Sequence, residues 1–261
     1  MQTSSWPPVV RTSCSSACGW FEKEDWTIAT FVISDIHGEY DKFIRLLEKI
    51  QLKNTDTLYI LGDVLDRGEH PVRVLLKLME MPNAVLIAGN HEVMALRCLD
   101  FLKKEITEES VAEINDELME NLLLWEYNGA QTTIDEFRML DRELQEDVID
   151  YLKDAILYVE LEAGGREYIL VHAGLGHFFP GKKLYDYTID DLVWKRPNYN
   201  RRYFKDRFVV TGHTPTQNIR TNPNPGYIFR NKNHIAIDCG ACYSQGRLAA
   251  ICLDTDEEYY V

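Results

Sequence analysis

With 261 residues and 45% hydrophobic content the chain can bury one large core, and no Gly/Ser/Pro-rich linker divides it. A formal net charge of −14 argues against sequence-independent nucleic-acid binding, which needs a basic surface. It does not exclude a small anionic substrate, because a bound metal can reverse the local field.

No apolar run approaches the ~18 residues of a membrane span, so neither a membrane nor nucleic acid is expected as a partner. Residues 1–26 lack the basic and apolar regions of a secretion signal and read as an N-terminal extension. The six cysteines, Cys14, Cys18, Cys98, Cys239, Cys242 and Cys252, form no dense framework, which fits a reducing cytoplasm.

In chain order, "IATFVIS" (28–34) is a short run rich in β-branched and aromatic residues, hence a strand. "YDKFIRLLEKI" follows with Phe43, Leu46, Leu47 and Ile50 at helical spacing. "TLYILGD" is a second strand, and "PVRVLLKLME" a second helix with Pro71 suited to its first turn. "AVLIAGN" and "EVMALRCLDFLKK" make a third strand and helix, so the alternation predicts parallel strands joined by crossover helices. Residues 105–154 turn acidic, carry Leu, Ile and Met at helical spacing, and break at "YNGAQTT". They read as a helical insert, either a substrate lid or ordinary packing helices with a solvated face.

Beyond the insert, "AILYVELEA", Gly164-Gly165 and "REYILVHAG" signal a hairpin, and "RFVVTGH", "HIAIDCG" and "GRLAAICLD" are further short strands. Cys239 and Cys242 form a C-x-x-C, but "IAIDCGACYSQGRLAAICL" reads as strand, turn, strand, whereas redox pairs open a helix. No second Cys/His pair matches them as a metal site.

Five strand ends finish in a metal-type or acidic residue. "SDIHGE" offers Asp35 and His37, which in an extended backbone point to one side. "GDVLDRG" offers Asp63, with Asp66 and Arg67 on the following loop; "GNHE" offers Asn90 and His91; "VHAGL" and "TGHTP" offer His172 and His213. Each alone has a bland reading as a hydrogen-bonded histidine or a helix cap. Together they line one sheet edge, at the carboxyl ends of strands where α/β sheets bind ligands. Two Asp, three His and one Asn suit a pair of borderline divalent metals, such as manganese, iron or zinc, placed for in-line displacement at phosphorus.

The blocks "DIHGEY", "GDVLDRG", "GNHE", "HAGL" and "GHT", in order over residues 28–253, resemble the calcineurin-like metallophosphoesterases. "GDVLDRG" with "GNHE" is similar to the phosphoprotein phosphatase branch of Ser/Thr protein phosphatases, and "LVWKRP" and "IAIDCGA" to its compact bacterial and lambda-phage-type members. The resemblance implies an α/β fold of two central β-sheets packed as a sandwich flanked by helices, with 105–154 as an insert in a catalytic domain at 27–261. It implies that Asp35 and His37 hold one metal, that Asp63 bridges both, and that Asn90, His172 and His213 complete the second. Manganese is the expected metal in vitro, with iron or zinc as native alternatives.

The resemblance further implies attack on phosphorus by a metal-bridging hydroxide, with His91, oriented by Asp66, as the group that protonates the leaving alkoxide. Arg67, and Arg196 in "WKRP", orient phosphate oxygens; for Arg196 an ordinary surface role is the bland alternative. A loose match to the larger relatives implies that Tyr243, on the last hairpin loop, reaches the site. The implied substrates are phosphoserine, phosphothreonine and phosphotyrosine in proteins or peptides.

A nucleotide hydrolase such as a symmetrical dinucleoside tetraphosphatase shares the metal blocks, though such relatives typically lack the Asp66–Arg67 pairing. A catalytically dead binding protein is disfavoured by the complete ligand set. Ala88 stands where the family usually carries an Arg before the Gly of "GNHE", which leaves substrate choice open. The segment "WKRPNYNRRYFKDRF" (194–208) is a basic island with Tyr199, Tyr203 and Phe204. It reads as a recruiter of phosphorylated or acidic segments, a nucleobase-stacking surface, or a solvated loop paired with the acidic helices.

Overall fold

Three strand–helix repeats open the fold. In the computed structural model, which describes residues 28–105 and 107–261, they are β1 (Thr30–Ile33), β2 (Thr57–Ile60) and β3 (Ala84–Leu86), alternating with α1 (Tyr40–Ile50), α2 (Pro71–Met79) and α3 (Asn90–Leu102). The N-terminal extension at 1–26, with Cys14 and Cys18, lies outside the described residues. The strands are parallel, with Val32 opposite Tyr59 and Tyr59 opposite Val85, as crossover helices require. Phe43, Leu46 and Ile50 give α1 its buried face, and Pro71 starts α2, where its missing N–H costs nothing.

Helices α4 (Glu108–Ala112), α5 (Asp116–Tyr127), α6 (Gln131–Met139) and α7 (Arg142–Lys153) make up the insert. It is not detached: α5 and α7 pack on α3, α6 packs on α2, and Val148, Ile149 and Leu152 enter the same core as α1 to α3.

After the insert come β4 (Tyr158–Ala163), β5 (Arg166–Val171), α8 (Ile189–Val193), β6 (Arg207–Thr211), β7 (Phe229–Asn231), β8 (His234–Ala236), β9 (Ala249–Cys252) and β10 (Glu258–Tyr260). Gly164 and Gly165, at φ +54° and +71°, turn the β4–β5 hairpin as the sequence predicts. The strands form two five-stranded sheets, β10-β9-β1-β2-β3 and β4-β5-β6-β8-β7.

Side-chain alternation explains the layering. Phe31, Ile33, Leu58, Ile60 and Leu86 face the helices. Val32, Leu61 and Ile87 face the other way and share a core with Leu170, Val210 and Ile235 of the second sheet. Both faces of β1 are buried, which is why it reads as a continuous apolar run. This is the expected two-sheet α/β sandwich.

Two readings need correction. The five strand ends do not line one sheet: Asp35, Asp63 and Asn90 follow strands of the first, while His172 and His213 follow β5 and β6 of the second. The segment around Cys239 and Cys242 is not a hairpin, because β8 and β9 belong to different sheets and the C-x-x-C lies on the crossing between them. Among the described residues all four cysteines are free, and no helix is long and apolar enough to cross a membrane.

Candidate active site

The site forms where the carboxyl ends of both sheets meet. Asp35 and His37 do not converge by strand alternation as expected; β1 ends at Ile33, and both residues are left-handed, at φ +51° and +45°. Asp63, Asp66, Arg67 and His213 share that conformation, at φ +54°, +69°, +68° and +61°. Left-handed backbone is costly for non-glycine residues and collects at functional sites. Asp and His pay less than most types for it, so the site residues themselves make these tight turns feasible.

The motif "GNHE" is likewise not a strand end. Gly89 is the N-cap of α3, so Asn90, His91 and Glu92 form the first helical turn. Glu92, fully buried, accepts the Gly89 and Asp63 N–H groups on Oε2, each at 2.8 Å, and the Val64 N–H on Oε1 at 2.9 Å. One carboxylate therefore fixes the Asp63 loop to the helix that carries Asn90 and His91. Gly89 permits the approach, since a Cβ there would stand 2.2 Å from Asp63 Oδ1.

Asp63 is the centre of the constellation. Its Oδ2 lies 3.7 Å from His37 Nε2 and 3.9 Å from His91 Nε2, and its Oδ1 3.4 Å from His172 Nε2. His172 Nε2 is also 3.1 Å from Asn90 Oδ1 and 3.2 Å from His213 Nδ1. Two clusters with metal-ligand spacing result, one of His37, Asp63 and His91, the other of Asp63, His172 and His213. Asp63 belongs to both. His37 and His172 each direct Nδ1 to a backbone carbonyl, Leu65 at 2.9 Å and Leu61 at 2.5 Å, which leaves Nε2 turned inward. Asp35 lies in neither cluster but borders the site, accepting the His213 backbone N–H at 3.1 and 3.0 Å.

The electrostatics of these donors fit divalent cations. Burial raises the Asp35 carboxyl well above its usual range, and the charges of Asp238 and Asp63 raise it further. Burial lifts Asp238 to about 6. Burial alone would depress His172, but the Asp63 carboxylate outweighs it and lifts the imidazole to about 10. His213 falls to about 3 through burial and then the positive His172, with Arg196 adding to the effect. Three buried carboxylates and a row of imidazoles in mutual conflict form a donor set that two divalent ions would satisfy.

His91 stands apart by its second nitrogen. Its Nδ1 is 2.5 Å from Asp66 Oδ2, and both side chains are fully buried. Arg67 donates to His37 Nε2 at 2.8 Å and to His91 Nε2 at 2.9 Å, so its guanidinium lies in the middle of the site. Arg196 is exposed and reaches the site through its charge on His213. Ala88 is fully buried in the apolar layer below, so no cation approaches from that position.

Tyr243, partly exposed, follows Cys242 on the β8–β9 crossing. Burial pushes the Cys242 thiol up, and the positive charge of Arg67 only partly opposes the rise.

Four residues here escaped sequence reasoning. Asp238, an acid just past β8, carries the same signal as the other strand-end acids, and Glu92 sits at the third helical position, where an acid caps the first turn. Trp125 and Thr133, which donate to Asp66 at 2.8 and 2.5 Å, come from the insert and carry no local signal.

Fold and site together define a metallophosphoesterase. Residues 28–232 match the family described as calcineurin-like phosphoesterase, and the chain belongs to that family. It is 39% identical over 71 residues to the symmetrical bis(5'-nucleosyl)-tetraphosphatase of Salmonella paratyphi A; the match covers 26% of this chain and spans only a quarter (25%) of that protein. Its fold is similar to the crystal structure of a candidate diadenosine tetraphosphatase, with TM-score 0.62, 18% identity, and 91% of this chain and 94% of that one covered. It is also similar to a Saccharomyces cerevisiae protein serine/threonine phosphatase, with TM-score 0.50, 14% identity, and 86% and 72% covered.

Proposed function

We propose that this chain is a two-metal phosphomonoesterase that dephosphorylates phosphoserine and phosphothreonine, and also phosphotyrosine, in protein segments. The observation that carries this reading is the buried His91–Asp66 pair. A serine or threonine alkoxide leaves badly without a proton, and a histidine held by a carboxylate is suited to deliver one.

Asp35, His37 and Asp63 would hold one divalent ion, and Asp63, Asn90, His172 and His213 the second. The ions would activate water and neutralise charge on the phosphoryl oxygens. Arg67 and Arg196 orient those oxygens; a phosphate competing for the Arg67 guanidinium frees His91 Nε2 to carry the proton. Exposed Lys195, Arg196, Arg201 and Arg202 give an acidic protein a local positive rim for a phosphorylated segment.

The similarity to tetraphosphatases favours a second reading, symmetrical hydrolysis of a dinucleoside tetraphosphate. That reaction expels a nucleoside diphosphate, which leaves readily and gives the His91–Asp66 pair little to do. A substrate panel separates the two: phosphoserine, phosphothreonine and phosphotyrosine peptides beside diadenosine tetraphosphate, each with manganese and after chelation.

Metal-dependent turnover of the phosphopeptides is expected, and turnover of diadenosine tetraphosphate alone selects the second reading. His91→Ala should lose about 100-fold or more on a phosphoserine peptide but about 10-fold or less on p-nitrophenyl phosphate, whose phenolate needs no proton. Equal losses on both substrates would remove the proton-donor role.

A further inference from the structure

Asp66 is a fully buried carboxylate, and two of the three side chains bonded to it come from the helical insert. Its Oδ1 accepts the Thr133 hydroxyl at 2.5 Å; its Oδ2 accepts Trp125 Nε1–H at 2.8 Å beside the His91 contact. The Asp66 N–H donates back to Thr133 Oγ1 at 2.9 Å. Thr133 thus both donates to and accepts from one residue, which fixes its hydroxyl. Trp125 and Thr133 are themselves 0% and 1% exposed, so water does not compete for these bonds.

The neighbouring arginine is seated on the same insert. Its backbone N–H donates to Gly129 O at 3.0 Å and its Nε to Asn128 O at 3.4 Å, both in the turn between α5 and α6. Gly129 is left-handed, at φ +101°, and a Cβ on it would meet Arg67 Cγ at 2.9 Å. The α5–α6 corner is therefore shaped around the Asp66–Arg67 pair.

The last torsion of an Asp side chain is broad and weakly restrained, so a carboxylate needs external donors to hold one oxygen on a histidine. From this we propose that Trp125 and Thr133 are positioning residues for proton transfer. They lock the Asp66 carboxyl in the rotation that orients His91, so the acidic insert is a working part of the active site and not a lid over it. The inference rests on the proton-donor reading of His91.

The test uses the full-length, manganese-loaded protein and two substrates, a phosphoserine peptide and p-nitrophenyl phosphate. Thr133→Val keeps the shape and removes both hydrogen bonds. It should lower kcat on the peptide about 10-fold, with KM within about twofold and the aryl substrate within about threefold of the parent. Thr133→Ser, which restores the hydroxyl, should recover peptide turnover to within about threefold. Trp125→Phe should show the same selectivity, and carries the comparison if Thr133→Val does not fold.

Manganese stoichiometry by calorimetry should match the parent in every variant. Equal losses on both substrates, or no rescue by Ser, overturn the positioning role. His91→Ala measured alongside separates the failures: if it discriminates between the substrates and the insert variants do not, only the positioning inference falls. If His91→Ala itself does not discriminate, the proton-donor reading has failed.

Discussion

Glu92 binds three backbone N–H groups at 2.8 to 2.9 Å and a fourth, from Leu65, at 3.4 Å, all inside the core. Burial and then the Asp63 charge raise its carboxyl, while the N–H donors from Asp63 and Gly89 oppose the rise. Glu92→Gln is nearly isosteric, yet turns a donor toward donors on one of its two sides. One or two buried N–H groups then lose their acceptor, at about 1–3 kcal/mol each. The variant should be destabilised by about 2–3 kcal/mol in urea denaturation. A loss below about 0.5 kcal/mol, within the range of neutral surface changes, would show that the carboxylate does not organise the loop.

The same residue marks the limit of legibility at this scale. The metal-type residues could be picked out because each sits within a recognisable sequence block, and Glu92 had a capping signal beside them. The left-handed turns at Asp35 and His37 were not, since the residue types that tolerate that conformation are also the ligand types. Trp125 and Thr133 lie 59 and 67 residues from Asp66, and only the packed fold brings them to it.

Among the elements, the long periodic helices and the core strands followed from the pattern of apolar residues. The edge strands β7 and β10 did not, because "FRN" and "EYY" sit in no apolar run, unlike the equally short β3 and β8. The segment 194–208 offers a further contrast. Its charges face solvent, but Tyr199 packs 4.9 Å from His234 and 5.9 Å from Phe229, and Tyr203 packs 4.9 Å from Phe178 and 6.0 Å from His234. These rings fasten the basic loop to β8 and do not form a stacking platform.

His234 beneath them has one partner, Thr211 Oγ1 at 2.9 Å, and its Nδ1 has none among the described residues. Burial lowers it from 6.5 to about 3. As pH falls, the unfolded chain takes up this proton first, so stability is full above about 6.5 and drains away toward about 3. Between pH 7 and pH 5 this residue should cost about 2 kcal/mol. His234→Phe keeps a ring under the tyrosines and removes the titration. Its stability should therefore fall about 2 kcal/mol less than the parent's over that interval, by urea denaturation at both pH values. Parallel curves for the two proteins would mean His234 is not held neutral.

For the whole molecule, the problem is charge. An excess of acidic groups surrounds a core that also buries Asp35, Asp63 and Asp238, and the insert adds more acid on one flank. Cations can therefore associate in two ways, loosely with the acidic surface or tightly at the convergence of the two sheets. Only tight binding to the folded form stabilises strongly. At a free metal concentration 100 times Kd it contributes about 2.7 kcal/mol, which for a chain of this size raises Tm by about 5–10 °C. Screening of surface repulsion should be reproduced by any salt of equal ionic strength.

Manganese should therefore raise the parent Tm by several degrees beyond a matched potassium salt. Asp63→Asn, which weakens the carboxylate common to both clusters, should lose most of that excess. Asp147→Asn, a change on the exposed face of α7, should keep it. If Asp63→Asn retains the full manganese-specific shift, the ions bind elsewhere, and the convergence of the two sheets is not the metal centre.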